Sequence, residues 1–495
     1  MGKIQQQSLK GGIYSYLGVL IGAITTGFLM PTIFQASEVG VAKLLISYST
    51  IFAQIAGLGF PSVCSRLFTH FRDYSKKHNG FLMLGFIVII AGFIIASAIY
   101  YMCWNYLKTI NAKSELFVTY LNYVVFLSFF TLLFNYIDTY LTQLYNAISG
   151  VIHKEFTTRL LTLLAIGLFY FNVVSFEGFI ILYVSSWSAP GLILLWKIVR
   201  LDDTSWKLPE NFITKTMQSE MISVSTFGII MGFSGMAVLN LDSIMLGSML
   251  GDNYTGIYAI TFFAGSLIII PSRALQKIST VYYSDAWKNN DLKLIADIYK
   301  KSSSNQYLIG TLILLLLWVN ADNLLSLLPP IYSQGKYVIL YIGLANLLEM
   351  ASGSNVVIIS TSKHYKLLTI FTLCLMILIV VTNLMLIPSM GIVGAALASL
   401  LATLGYNLMR GGYLYIKYKF QPISVSQLKT SIIGIGLYCV SLLFNSDWNV
   451  WVKMIGNSSL LMGAFLILTY KARCTEEYVS YAQKLTKKIL RPRAL

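Results

Sequence analysis

Four charged residues lie inside stretches of sequence that are otherwise apolar: Lys43, Asp138, Asp242 and Glu349. An ionised side chain held in hydrocarbon costs about 2.5–3.5 kcal/mol on insertion scales, so each of the four needs a partner or a task. A carboxyl group removed from water favours its neutral form, and it therefore takes up a proton readily. The two acids at positions 138 and 349 are thus candidate sites for a coupling ion, either a proton or Na⁺.

The motif Asn-x-x-acid occurs twice, because Asn135 precedes Asp138 and Asn346 precedes Glu349 by three residues. One alternative is that these residues bind the coupling ion. The other is a polar clamp, in which the two asparagines hydrogen-bond across a helix bundle. The sequence leaves both open. The histidines and cysteines are scattered without the spacing of metal ligands, and no nucleophile with a base is evident, so we expect neither a metal site nor a catalytic site.

Membrane-spanning helices must position these residues. The chain has 495 residues, of which 56% are hydrophobic and 11% charged, a balance unlike that of soluble domains. Backbone groups in lipid must be bonded internally, so long apolar runs predict helices of ~20 residues. We predict about fourteen spans, at 11–33, 39–62, 81–105, 116–143, 157–174, 178–197, 221–249, 254–275, 305–327, 337–360, 366–387, 390–415, 428–444 and 450–470.

The basic residues indicate the orientation of the chain. With a cytoplasmic N-terminus, 31 of the 36 Lys and Arg fall in inner segments, including all those of 197–220 and 410–429, and four fall in outer loops. This positive-inside bias predicts that both termini are cytoplasmic. The net charge of +16 then predicts anionic lipid headgroups as partners. It does not indicate nucleic acid, because the charges are divided among eight segments.

Several landmarks recur along the chain at nearly one offset. Two pairs are 211 residues apart, namely Asp138 with Glu349 and His153 with His364. The other offsets are 216 for Gly40 with Gly256, 210 for Pro61-Ser62 with Pro271-Ser272, and 213 for Gly178 with Gly391. Such a repeat is typical of transporters built from two similar halves. We predict an all-α membrane protein with two parallel six-helix lobes, 1–200 and 221–420. A cytoplasmic linker, 201–220, joins them, and 421–495 adds two helices and a basic tail.

Segment 285–301 predicts a separate amphipathic helix on the inner membrane surface. Asp285 is placed to cap its N-terminus, and Trp287, Leu294, Ile295 and Ile298 would lie on its apolar side.

Three motifs resemble those of a known family. The run Leu241–Gly247, followed by Gly256-Ile-Tyr258, resembles the seventh helix and following loop of polysaccharide flippases in the multidrug/oligosaccharidyl-lipid/polysaccharide superfamily. Ile387–Ala398 is similar to the family's entry to helix twelve, and Glu38-Val-Gly-Val with Leu58–Pro61 fits its first hairpin. The chain departs from the family in that its buried charges are mostly acidic.

The resemblance implies a Wzx-like exporter that moves a polyprenyl-pyrophosphate-linked oligosaccharide, such as an O-antigen precursor of lipopolysaccharide, from the inner to the outer leaflet. It implies alternating access in the inner membrane of a bacterium, and a polysaccharide polymerase as a further partner. It implies no cofactor beyond a coupling proton or Na⁺.

Four residues are then candidates for substrate binding. Arg66 and Arg273 each follow a Pro-Ser pair near the cytoplasmic end of equivalent spans, where they would receive the pyrophosphate or merely anchor helix ends. Lys43 and Asp242 lie toward the outer side, where they would pair across the lobes or be hydrated independently.

Three rival functions stay open. A multidrug antiporter of the same superfamily would suit the acidic buried charges, whereas the two additional spans favour the polysaccharide branch. A lipid II flippase would share the same motifs. A membrane polymerase or ligase is disfavoured, because the outer connections are short and hold little acid or histidine.

Overall fold

The structure is a computed structural model that describes residues 11, 13–14, 17–202, 204–208, 212–443, 449–480 and 483. Helices dominate these residues, and this part of the chain contains no β-strand. The chain packs as two compact units, the first ending at Ile260 and the second beginning at Thr261.

The first unit contains eight main helices. They are α1 Leu17–Ile33, α2 Ala36–Ala56, α3 Phe60–Phe71, α4 Phe81–Met102, α5 Tyr123–Gln143, α6 Thr158–Tyr170, α7 Phe176–Val199 and α8 Lys215–Leu250. A π-helical turn, Thr25–Leu29, lies within α1. A helical turn, Ile148–Val151, and a second π-helical turn, Ile152–Thr157, lead into α6. Short helices at Trp104–Ile110 and Glu115–Thr119 connect α4 to α5.

The next helix, α9 (Asp252–Ser266), begins in the first unit and ends in the second. The remaining helices are α10 Ile270–Lys288, α11 Leu292–Val319, α12 Lys336–Ala351, α13 Asn355–Thr361, α14 Lys366–Tyr418, α15 Val425–Ser441 and α16 Val450–Lys471. A short helix, Ala321–Ser326, follows α11.

These helices confirm the predicted membrane fold of about fourteen spans. Among the described residues, nine helices are long and apolar enough to cross a membrane, or ten if the pair α12 and α13, bent by 50°, counts as one. The long α14 contains two predicted spans, because Gly391 interrupts it with a φ of 60°. Three shorter segments, namely α1, α6 with its preceding turns, and α15, correspond to the remaining predictions.

The predicted second span is divided by a break, which separates α2 from α3. Gly59 in this break has a φ of 68°, a left-handed conformation that glycine adopts without strain. Pro61 lies in the first turn of α3, where its missing N–H is not needed. Helix α8 packs against the break, since the Ser225 hydroxyl donates a hydrogen bond of 2.6 Å to the carbonyl oxygen of Leu58. Helix α8, which the sequence assigns to the second lobe, therefore packs within the first unit.

The prediction of a separate surface helix at 285–301 is wrong. Residues 285–288 complete α10, and residues 292–301 form the first turns of α11. Asp291 caps α11, because its carboxylate accepts a hydrogen bond of 2.9 Å from the backbone N–H of Leu294. The apolar spacing that indicated a separate helix comes from two helix ends joined by a short turn.

Aromatic residues fill the core of the first unit where α3, α4 and α5 meet. Phe68, Phe81, Tyr136 and Tyr140 are buried there among aliphatic side chains. In the second unit, a buried cluster around Tyr283, Tyr299, Ile358 and Leu414 joins α10, α11, α13 and α14. The first cluster includes residues of α5, the helix that carries Asp138.

Candidate functional site

Glu349 in α12 is bound to an arginine of α14. The Arg410 Nη2 donates to Glu349 Oε2 at 2.6 Å and to Asn407 Oδ1 at 2.7 Å. The Asn407 Nδ2 donates to the same Glu349 oxygen at 3.0 Å. The three side chains therefore form a closed triangle between two helices of the second unit.

The burial of this triangle is uneven. The Arg410 side chain is 0% exposed and the Glu349 side chain 21% exposed. The guanidinium carbon of Arg410 also lies 3.8 Å from the centre of the Tyr406 ring, in a cation–π contact. A fully buried arginine requires a negative partner, because an isolated charge away from water is very costly. Glu349 supplies that charge.

Arg410 corrects two expectations. The sequence places it among the inner basic segments, whereas the structure buries it within a helix. The sequence also predicts that the buried charges are mostly acidic, but Arg410 neutralises one of those acids, Glu349.

Asn346 joins α12 to α9 within the second unit. Its Nδ2 donates to the carbonyl oxygen of Gly265 at 3.2 Å and to that of Ile342, one turn earlier in α12, at 3.0 Å. This is the geometry of the predicted polar clamp between helices.

Asp138 in α5 has different surroundings. Its carboxylate packs against the backbone at Gly150, where an added Cβ would lie 1.7 Å from Asp138 Oδ1. The exposed Lys154 acts on it electrostatically. Within the described part of the chain, Asp138 forms no direct ion pair. Asn135 is half-buried, and its backbone carbonyl accepts a hydrogen bond of 2.7 Å from Thr139.

Lys197 of α7 approaches the same turn. Its ammonium donates a hydrogen bond to the Ser149 hydroxyl, which in turn donates to Asn146 Oδ1 at 2.9 Å. Lys197 also acts electrostatically on His153, whose Nδ1 lies 3.2 Å from the Thr157 hydroxyl. Asp138 and Lys197 thus contact two adjacent residues, 150 and 149, of the turn that precedes α6.

Lys197 and Arg410 occupy equivalent positions in the two repeats. They are 213 residues apart, the same offset that relates Gly178 to Gly391 near the start of the helical segments that carry them. The sequence analysis counted both residues only as cytoplasmic cations. Continuing the repeat along these segments would have related the two residues to each other, although only Arg410 is bonded to an acid.

Near the predicted outer side of the first unit, Asp242 is buried in α8. It accepts a hydrogen bond of 2.7 Å from the Tyr258 hydroxyl of α9. Its charge also acts on Lys43, which is half-buried in α2. Both residues lie in the first unit, so their electrostatic interaction does not join the two predicted lobes.

Two glycines that mark the repeat pack against each other beside this pair. A Cβ on Gly40 would lie 1.9 Å from the Asp252 carbonyl oxygen, and a Cβ on Gly256 would lie 1.7 Å from that of Ala36. Each position also approaches the backbone nitrogen of the other glycine. The contact is reciprocal, and it brings α2 and α9 to the closest approach that backbones allow.

The two predicted headgroup residues lie on exposed surfaces. Arg66 is in α3 and Arg273 in α10, and both helices begin with the repeated Pro-Ser pair. Pro61 follows the break between α2 and α3, whereas a 3-10 turn, Leu267–Ile269, joins α9 to α10 without a gap before Pro271. Each arginine lies within two turns of its proline.

Comparison with known proteins identifies the fold. No protein-family model matches this sequence, and no curated protein matches it. Among solved structures, the lipid II flippase MurJ in an inward closed conformation has a TM-score of 0.75 at 12% identity, covering 94% of this chain and 98% of that one. An inward-facing multidrug resistance MATE transporter of the MOP superfamily has a TM-score of 0.65 at 12% identity, covering 83% and 94%.

A MOP superfamily transporter from Pyrococcus furiosus has a TM-score of 0.54 at 13% identity and covers 84% of this chain and 95% of that one. These likenesses show that the chain has the fold of MOP superfamily transporters and is a multi-pass membrane protein. They confirm the predicted fold, an all-helical membrane transporter fold.

Proposed function

We propose that this protein is a flippase that moves a polyprenyl-pyrophosphate-linked oligosaccharide from the cytoplasmic to the outer leaflet of a bacterial inner membrane by alternating access. The observation that carries the proposal is the likeness to a lipid II flippase over 94% of the chain. The motifs of this chain that resemble those of polysaccharide flippases favour an oligosaccharide as the substrate.

The extent of the likeness favours a flippase over a multidrug exporter. The flippase structure covers 94% of this chain, whereas the inward-facing MATE structure covers 83%. The difference is about a tenth of the chain, which is similar in length to the segment from the start of α15, Val425, to the end of α16, Lys471. Helices α15 and α16, which would be additional to a twelve-helix transporter, suit a substrate with a long lipid tail.

Arg66 and Arg273 are the proposed contacts for the pyrophosphate. Both are exposed on helices with a proline in the first turn, and exposed guanidinium groups bind phosphate oxygens in a bidentate manner. Lys43 and Asp242 would interact when the outer exit is closed, because the charge of Asp242 acts on Lys43. Substrate release would then require their separation.

A lipid II flippase is the second candidate, because the MurJ structure, with a TM-score of 0.75, is that of a lipid II flippase. The two candidates differ in the lipid-linked substrate that is moved. The experiment below therefore identifies the glycan.

Deleting the gene and analysing the lipids of the inner leaflet tests the proposal. We expect a polyprenyl-pyrophosphate-linked oligosaccharide to accumulate on the cytoplasmic side, and its transfer to resume when the wild-type gene is restored. Accumulation of lipid II would favour the second candidate. Unchanged lipid-linked intermediates would contradict both.

A matched pair of double variants tests the headgroup residues. Arg66→Gln/Arg273→Gln should slow the transfer of the accumulated lipid in restored cells. Lys76→Gln/Lys288→Gln removes the same charge from exposed positions away from the two prolines, and it should transfer the lipid normally. Equal transfer by both double variants would show that the two arginines only anchor helix ends.

A further inference from the structure

The repeat that relates Asp138 to Glu349 also relates the basic residues beside them. In the second unit, the carboxylate, the guanidinium of Arg410 and the amide of Asn407 are joined by hydrogen bonds. In the first unit, the equivalent basic residue, Lys197, donates to the hydroxyl of Ser149. The two related sites differ in whether the cation is bound to the acid.

We infer that Asp138 exchanges a monovalent cation, a proton or Na⁺, with the ammonium of Lys197, whereas Glu349 stays paired with Arg410. The inference rests on the proposed function, because such an exchange couples an ion gradient to a carrier. It assigns the coupling site to one repeat and a structural pair to the other.

Three features hold Glu349 in a fixed pair. Arg410 is fully buried, it donates to two acceptors through one nitrogen, and it stacks on the ring of Tyr406. A guanidinium group does not lose its proton in proteins. If Glu349 were neutralised by an incoming cation, Arg410 would be left as a buried charge without a partner. Exchange at Glu349 is therefore opposed by the residue that binds it.

Asp138 has the opposite properties. Its carboxylate lies against the Gly150 backbone, and Lys197 is held by a single hydroxyl at the adjacent residue, Ser149. The two groups contact adjacent residues, whose Cα atoms are about 3.8 Å apart, and the lysine stem is flexible, so the inferred exchange requires Lys197 to turn from Ser149 toward the carboxylate. The basic residues around this site are Lys197 on α7 and His153 and Lys154 on the turn before α6.

This geometry gives two states of the site. In the cation-bound state, the Lys197 ammonium is bonded to Ser149, which is the contact present in the structure. When the cation leaves to the aqueous phase, the ionised carboxylate attracts the ammonium, which replaces the missing charge. The lysine thus keeps the acid neutralised in hydrocarbon while no ion is bound.

Cation binding to the purified protein tests the inference without any lipid substrate. Binding of radioactive sodium is measured in detergent at several pH values, and proton release on adding sodium is followed with a pH-indicator dye. Saturable sodium binding identifies Na⁺, whereas proton uptake that is independent of sodium identifies a proton. A wild-type protein that shows neither overturns the inference but leaves the flippase proposal intact.

Two variants distinguish the acids. Asp138→Asn should abolish the response, and the double variant Glu349→Leu/Arg410→Met, which removes the fixed pair without leaving a lone charge, should retain it. Loss of the response in the double variant, with retention in Asp138→Asn, would overturn the assignment. Monodisperse elution of each variant on gel filtration confirms that it is folded.

Two substitutions of Lys197 test the exchange itself. Lys197→Arg introduces the residue that occupies this position in the other repeat. The arginine should form a lasting ion pair with Asp138, and this pair should weaken cation binding by about tenfold or more. Lys197→Met removes the competing charge, so cation binding should tighten. A merely structural lysine would change neither affinity, and equal affinities in all three proteins would contradict the exchange.

Discussion

Glu349 in the second unit is bound by a buried arginine and an asparagine, whereas Asp138 in the first unit lies on a glycine beside a lysine that is bonded elsewhere. Both acids follow an Asn-x-x motif and both lie on a helix that packs against the helix carrying the basic residue. The repeat therefore preserves the positions of the charges and changes their connections. The two sites therefore differ in whether the acid is hydrogen-bonded to the basic residue.

Where helices cross closely, the two copies have instead stayed alike. Gly40 and Gly256 pack against each other in a reciprocal contact, and both Pro-Ser pairs begin new helices. Where two backbones touch, a residue larger than glycine does not fit. At a polar site, a side chain can be replaced by another that forms different hydrogen bonds. The two repeats therefore differ most in the surroundings of Asp138 and Glu349.

The largest effect is expected from breaking the fixed pair. Arg410→Met leaves the half-buried Glu349 without its cation and should lower the free energy of unfolding by about 3–5 kcal/mol. The double variant Glu349→Leu/Arg410→Met should unfold close to the wild-type temperature, because apolar residues replace such pairs at little cost. Thermal unfolding in detergent, followed by tryptophan fluorescence, measures both. Equal destabilisation by the single and the double variant would contradict the pairing.

The reciprocal glycine contact comes next. Gly40→Ala or Gly256→Ala places a Cβ against backbone atoms that cannot turn aside, and each should cost about 1–3 kcal/mol. Gly167→Ala in α6 is the matched control, because no atom lies within 4 Å of its added Cβ. It should leave stability unchanged or raise it by about 0.5–1 kcal/mol. The same unfolding assay compares the three variants. Unchanged stability in both Gly40→Ala and Gly256→Ala would show that the two backbones are not in close contact.

A smaller effect is expected at Gly150. An alanine there meets the Asp138 carboxylate, which can rotate away, so we expect a cost of about 1 kcal/mol together with weaker cation binding. Thr361 is the repeat-equivalent residue and already has a side chain, so Thr361→Ala should change neither quantity appreciably. Unfolding and sodium-binding measurements on both variants check this. Unchanged cation binding in Gly150→Ala would indicate that the position of the carboxylate is unimportant.

The smallest effect on stability is expected for Lys197→Met. Its half-buried ammonium forms one hydrogen bond to a hydroxyl, so its loss should cost about 1 kcal/mol or less. The contrast with Arg410→Met in the same unfolding assay measures the divergence of the two sites. A cost as large as that at Arg410 would mean that Lys197 is also part of a fixed pair.

Much of the fold was predictable because apolar length and the distribution of basic residues are direct consequences of the lipid solvent. The break at Gly59 near the end of the predicted second span was not predicted, nor was the joining of the spans 366–387 and 390–415 in α14. The amphipathic segment at 285–301 was misassigned, because hydrophobic spacing does not show that a turn at 289–291 separates two helices.

The sites were predictable only in part. Charge in an apolar stretch identified Asp138 and Glu349, but Lys197 and Arg410 lie near span ends, where basic residues usually face the cytoplasm. Whether a cation bonds to its acid depends on the rotation of two packed helices and on small residues such as Gly150. A sequence pattern alone does not report these features.

The most direct test of this account is the ion dependence of flipping in proteoliposomes, measured with a fluorescent polyprenyl-pyrophosphate oligosaccharide of short chain. We predict that collapsing the ion gradient slows the wild-type protein and the Glu349→Leu/Arg410→Met variant, whereas Asp138→Asn is slow with or without the gradient. Flipping by Asp138→Asn that matches the wild type in rate and in gradient dependence would contradict it.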